Sequence, residues 1–248
     1  MKPNAAPAGM ARLGASLALA SALAASPAAA GDRALIDFIG YSEDGRYFAF
    51  EEFGIQDGSG FAYSSVYVVD LPADKWVSGT PVRVVLEDDA AGPAAARTEA
   101  REQAAATLDK LEISAPVHLI ALNGDGEPGD GLSLEFGAVG YGPGELQSAH
   151  TLSLEIFDAT SPEDCMSFLG EAPKGYALLL EGEGGSRQLH RDAGMLPRSR
   201  GCPVTYRIYG VVARPDTGSL DDAVAIVSVY PFGFEGPDRR FIAVPLGN

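Results

Sequence analysis

The sequence predicts a mainly β protein, built as an antiparallel sandwich or as open propeller-like sheets, with one Ala-rich helix packed on it. Three observations support this class. Nine short segments are rich in β-branched and aromatic residues and are bounded by Gly, Pro, Asp and Ser. One of them, Thr151-Leu152-Ser153-Leu154-Glu155-Ile156, alternates apolar and polar residues, as a strand with one buried and one wet face does. A single stretch, residues 93–112, has the composition of a helix.

Residues 1–30 do not belong to this fold. Lys2 and Arg12 give a positive start, Leu13 to Leu23 an apolar run, and Ala28-Ala29-Ala30 the small-x-small pattern that signal peptidase cuts. The run is about 11 residues, well short of the roughly 20 a spanning helix needs. These residues read as an export signal cleaved after Ala30, with Met1 or Met10 as the start. Residues 31–248 are then one exported, β-rich domain, periplasmic or secreted.

Along that domain, residues 46–53 are the first β-prone run. They follow Asp44-Gly45, a turn pair in which Gly accepts positive φ and Asp caps the turn. Residues 66–71 and 82–87 are Val-rich. Residues 93–112 then hold seven Ala behind Pro93; Pro suits a first helical turn and Ala carries the lowest conformational cost. Leu108 and Leu111, three apart, share an edge, so the helix is expected to lie on a sheet. The alternative is an Ala-rich linker that makes a seam between two β units. Further strands are expected at residues 132–139, 151–158, 176–181, 204–213, 223–230 and 240–244. Residues 223–230 are almost wholly apolar, which suits the centre of a sheet.

Composition narrows the function. The 248 residues are 46% hydrophobic, enough for a packed core, and carry a formal charge of −16. Lys2 and Arg12 are the only charges in residues 1–30, so the remainder carries 16 basic and 34 acidic residues, a charge of −18. Nucleic-acid binding needs the opposite sign. No later stretch is long and apolar enough to span a bilayer. Cys165 and Cys202 would meet an oxidising compartment after export and are expected to form a disulfide; two isolated Cys are too few for a metal site.

Charge is polarised along the second half. Residues 113–186 carry twelve Asp and Glu against one Lys, and residues 187–214 carry six Arg against Asp192. Those arginines either pair with acidic neighbours or grip an anion through their forked guanidinium groups, with Arg191, Arg198 and Arg200 as candidates. Phe234, Arg239 and Arg240 lie in a turn-forming run from Phe232 to Arg240, which is either a recognition tip or a structural corner. Asn123, Asp125, Glu127 and Asp130 place oxygen ligands at near-alternate positions, a weak calcium pattern whose plainer reading is a polar loop.

Catalytic signatures are missing. His118, His150 and His190 form no zinc-protease pattern, and His190-Arg191-Asp192 lacks the other parts of a kinase catalytic loop. There is no Gly-x-Ser-x-Gly elbow, and Gly140-Tyr141-Gly142-Pro143-Gly144 has neither phosphate-loop Lys nor dinucleotide spacing. Glu51 and Glu52 are adjacent on an expected strand, so they point to opposite faces and cannot share a site. No catalytic residue, resident metal or cofactor is assigned.

Two resemblances add to this. Residues 42–50, Ser-Glu-Asp-Gly-Arg-Tyr-Phe-Ala-Phe, followed by Val66-Tyr67-Val68-Val69-Asp70-Leu71, look like one blade motif of the TolB-type β-propellers, with Glu43 where that repeat has Pro. The motif occurs once. Over most of residues 31–248 the chain resembles an uncharacterised family of predicted secreted bacterial proteins. The runs that carry this are Ile39-Gly40-Tyr41-Ser42, Gly45 to Glu52, Gln56 to Gly60, Trp76 to Pro81, Ser199 to Cys202 and Val229 to Arg240. That resemblance implies export and supplies no catalytic residues. The expected function is an exported, non-catalytic binding or interaction module of the cell envelope, taking a protein or small-molecule partner. A carboxylate-dependent hydrolase and a structural envelope component are the alternatives.

Overall fold

A computed structural model describes residues 31–124, 129–215 and 219–247. The signal reading of residues 1–30, and Asp125 and Glu127 of the calcium pattern, fall outside the described residues.

In chain order the elements are β1 (Leu35–Ser42), β2 (Tyr47–Ile55), β3 (Ala62–Asp70), β4 (Lys75–Trp76), β5 (Val82–Leu86), α1 (Pro93–Lys110), β6 (Ile113–Ala115) and β7 (His118–Leu122). Then follow β8 (Ser133–Val139), β9 (Leu146–Asp158), α2 (Cys165–Leu169), β10 (Lys174–Gly182), β11 (Gly185–Arg191), β12 (Pro203–Ala213), β13 (Val224–Pro231) and β14 (Arg240–Pro245). The strands form three antiparallel sheets. The first runs β6-β1-β2-β3, with β4 and β5 pairing end to end along the outer edge of β3; the second runs β7-β12-β13-β14; the third runs β8-β9-β10-β11.

The first sheet starts as the turn chemistry predicts. Gly45 N–H donates to the Ser42 carbonyl at 2.9 Å, and the Asp44 carboxylate accepts from Ser42 Oγ at 2.6 Å and from Arg46 N–H at 3.0 Å. Gly45 takes φ of 73°, which a residue without Cβ adopts freely. Gly31 has a different reason to be Gly: a Cβ there would stand 2.6 Å from the carbonyl oxygens of Gly236 and Pro237.

The three sheets stack, with the second in the middle. β13 shows how. Ala223 just before it, with Ala225 and Val227, packs towards the third sheet among Leu152, Tyr176 and Leu178. Val224 and Ile226, between them, pack towards the first among Tyr41, Phe48 and Phe50. Both faces are covered, which is why this run is almost continuously apolar. The outer third sheet alternates as expected: Leu152 and Leu154 are buried and Glu155 is exposed.

On the far side of the first sheet lies α1, packed as a helix rather than strung out as a linker. Ala96, Ala100 and Ala104 recur every four residues and are fully buried against Ala62, Val66 and Val84. The adjoining stripe, Arg97 and Arg101, sits over Glu51. That carboxylate is fully buried and accepts hydrogen bonds from Ser64 Oγ (2.8 Å), Arg97 Nε (3.2 Å) and Arg101 Nε (2.8 Å). Asp37, opposite Glu51 on β1, pairs with both arginines. A buried carboxylate is tolerable only with such partners. Cys165 and Cys202 are bonded, with Cα atoms 5.4 Å apart, and tie α2 to the residue preceding β12.

Candidate functional site

A cleft of about 500 Å³ opens where edges of all three sheets meet. Strand register dictates its lining. On β3 the alternate residues Tyr63, Ser65, Tyr67 and Val69 face it. Residues directly opposite in an antiparallel pair share a face. Glu52 of β2 and Arg83 of β5 both stand opposite Ser65, and Trp76 of β4 stands opposite Val69, so all three join that wall. β14 contributes Arg240 and Phe241. The third sheet contributes Tyr176 and His190, and the short turn Arg198–Arg200 contributes Arg200.

The wall of the first sheet is a hydrogen-bonded polar surface. Tyr67 donates its hydroxyl to Glu52 Oε1 at 2.6 Å, and Phe241 N–H donates to Glu52 Oε2 at 3.1 Å. Burial pushes the Glu52 carboxyl above the usual glutamate range, against these bonds and the charges of Arg240 and Arg83, which pull it down. Tyr63 donates to Asp32 Oδ1 at 2.7 Å, and Arg240 donates to Asp32 Oδ2 at 2.6 Å. Burial raises both phenols, so Tyr63 and Tyr67 remain protonated donors.

Opposite them, Tyr176 stacks on His190 with ring centroids 4.7 Å apart. His190 Nε2 lies 3.1 Å from Asp192 Oδ1, and Asp192 Oδ2 accepts from Tyr176 N–H at 3.0 Å and from Arg200 at 3.4 Å. Burial alone would raise Asp192, but these three partners outweigh it and hold it below the usual aspartate range. Arg200, whose side chain is only 10% exposed, lies over the rings of Tyr176 and Tyr206. The Tyr176 hydroxyl is buried with no hydrogen-bond partner among the described residues.

Of the residues singled out from sequence, the fold brings Arg200 and Arg240 to the cleft and disperses the others. Arg191 pairs with Glu155 at 3.2 Å over the ring of Phe157. Arg198 pairs with Glu163 at 3.1 Å on the surface. Arg239 is buried and donates to the Ala34 carbonyl at 2.9 and 2.7 Å. Phe234, 87% exposed, stands in the β13–β14 turn, where Phe232 stacks on Phe168 of α2. Asn123 spends its side-chain N–H groups on the carbonyls of Ser133 and Ile208, and Asp130 accepts from Leu132 N–H at 2.8 Å. Among the described residues no group of three metal-ligating side chains gathers.

Sequence reading missed Arg83 and Trp76 as site residues. One signal was present for each: an Arg in the middle of a Val-rich strand, and the chain's single Trp on a two-residue strand. The pairing of Glu52 with Arg83 across β3 depends on register, which the sequence does not display.

Fold and cleft together define a mainly antiparallel-β protein of three stacked sheets with a polar, aromatic cleft at their edges. The chain belongs to the family described as "Predicted secreted protein (DUF2259)", whose model matches residues 49–246. No curated protein and no solved structure matches it. The likeness of residues 42–71 to a TolB-type blade gains no support from these comparisons.

Proposed function

We propose that this secreted-family protein is a non-catalytic binding module of the periplasm or cell exterior, exported by cleavage after Ala30, and that it holds a small molecule in the three-sheet cleft. The observation that supports this is the cleft itself. Its volume suits a drug-sized ligand, and it sets aromatic faces (Tyr63, Tyr67, Trp76) beside fixed polar groups, the usual make-up of a ligand pocket. The test is a thermal-shift screen of a small-molecule library, with hits confirmed by quenching of Trp76, the only Trp. The reading requires hits whose binding is lost in Trp76→Ala while the far-UV spectrum is kept. A screen in which no compound raises the melting temperature, or in which Trp76→Ala binds every hit as well as wild type, overturns it.

A carboxylate-dependent hydrolase is the second reading, favoured by one observation. Glu52 and Asp74 both line the cleft, and burial raises both carboxyls, as a general acid requires. Turnover on an ester, glycoside or peptide panel, abolished by Asp74→Asn, would replace the binding reading with this one.

A further inference from the structure

The cleft holds four cationic side chains, and they are not equally committed. Arg200 is paired with Asp192 at 3.4 Å, and Arg240 with Asp32 at 2.6 Å. Arg83 and Lys75 have no carboxylate within ion-pair distance among the described residues. Arg83 matters more, because its register opposite Ser65 directs it to the cleft wall. Its nearest acidic neighbour across β3 is Glu52, whose two oxygens are already engaged by Tyr67 and the Phe241 N–H. Arg83 reaches the Tyr67 hydroxyl, and its charge is felt by Glu52, but no carboxylate among the described residues pairs with it. In a chain with 34 acidic against 18 basic residues, an exposed guanidinium without an ion-pair partner in a concave site is a local reversal of charge.

Trp76 supplies the other half. It is 48% exposed, meets Tyr67 edge-to-face at 5.5 Å between ring centroids, and lines the cleft. Trp76 and Arg83 stand opposite Val69 and Ser65, four residues apart on β3, a spacing of about 13 Å along the strand.

We infer that the cleft takes an elongated small molecule with an anionic oxygen group at one end, a carboxylate or a phosphate, held by the Arg83 guanidinium, and a flat apolar group at the other, laid on Trp76. This rests on the binding reading above. Arg suits the role because its planar fork matches two oxygens of either group. A cationic group at the Arg83 end would meet repulsion from the guanidinium, and the neighbouring Glu52 is already engaged; Asp74 lines the cleft at the other end, just before Trp76.

The test uses Trp76 fluorescence with four probes of one shape: 4-phenylbutyrate, 4-phenylbutyl phosphate, the neutral 4-phenylbutyramide and the cation 4-phenylbutylamine. One or both anions should bind roughly tenfold or more tighter than the amide, and the cation weakest. The relative strength of the two anions distinguishes a carboxylate site from a phosphate site. Arg83→Gln should erase the anion preference, weakening both anions far more than the amide; Arg83→Lys, which keeps charge but loses the fork, should retain part of it. Melting curves check that both variants fold. If the amide binds as tightly as the anions, or Arg83→Gln keeps the preference, the anion inference fails while the cleft reading stands. If no probe alters Trp76 emission, this inference also fails, and the library screen decides the binding reading separately.

Discussion

Glu52 and Asp192 are buried carboxylates shifted in opposite directions, and their pH dependences have opposite signs. Glu52 is raised by burial, so the folded protein binds its proton more tightly than the unfolded chain does. Stability from this group falls as pH rises from the ordinary glutamate range through the folded value. The wild type should therefore lose stability relative to Glu52→Gln as pH rises across that window. Asp192 is lowered because its His190, Arg200 and Tyr176 contacts outweigh burial, so its contribution is present above the ordinary aspartate range and lost on acidification through the folded value. Relative to Asp192→Asn, the wild type should gain stability with rising pH. Urea unfolding of the three proteins from about pH 3 to about pH 7 reads both slopes. Tyr176 gives a third sign. Its buried hydroxyl has no partner among the described residues, and an unsatisfied group of this kind costs about 1–3 kcal/mol. Tyr176→Phe should raise the thermal midpoint, whereas a lowered midpoint would mean that the hydroxyl is satisfied.

At the scale of elements, α1 depends on small side chains at three positions. Ala100 is fully buried against the sheet, and Leu in its place should cost about 1–3 kcal/mol by overpacking. Ala105, on the exposed side of the same helix, should accept Leu within about 0.5 kcal/mol. Denaturant midpoints of the two variants compare packing with helix propensity directly, since propensity is the same in both. Elements with a single buried face, or with two, were legible from the chain: residues 151–156 alternate, 223–230 are apolar but for Ser228, and both behave accordingly. Others were not. β11 (Gly185–Arg191) is a sheet edge that sends only Leu189 to the apolar core, so no apolar period marks it. α2 is five residues long, too short for composition to reveal. β1 does contain an apolar pattern, but Asp37 interrupts it, and that residue is there for Arg97 and Arg101 on a helix some sixty positions away. The cleft was the least legible feature, because each of its residues looks ordinary until strand register sets Glu52, Ser65 and Arg83 in one row.

For the whole molecule, the disulfide is the largest single covalent constraint. It links positions separated by 37 in sequence, for which the chain-entropy treatment gives roughly 3–4 kcal/mol. A Cys165→Ala/Cys202→Ala double variant should lose about that much in guanidinium unfolding. A loss near zero would mean that the α2 segment is held by its other contacts, such as Phe168 on Phe232.

The way β4 and β5 divide one side of β3 between them has a consequence for how copies of the protein behave towards one another. A single long strand there would offer a neighbour an unbroken row of backbone donors and acceptors, the template on which chains polymerise. Instead β4 covers two residues of β3 and β5 covers five, and between them the chain makes a turn in which Val77 N–H and Thr80 Oγ1 both donate to the Val68 carbonyl. Lys75 and Arg83 each place a positive charge along the interrupted row. The interruption between β4 and β5 thus also guards that margin of the first sheet against addition of a further strand, so that two copies meeting there find no continuous ladder to extend.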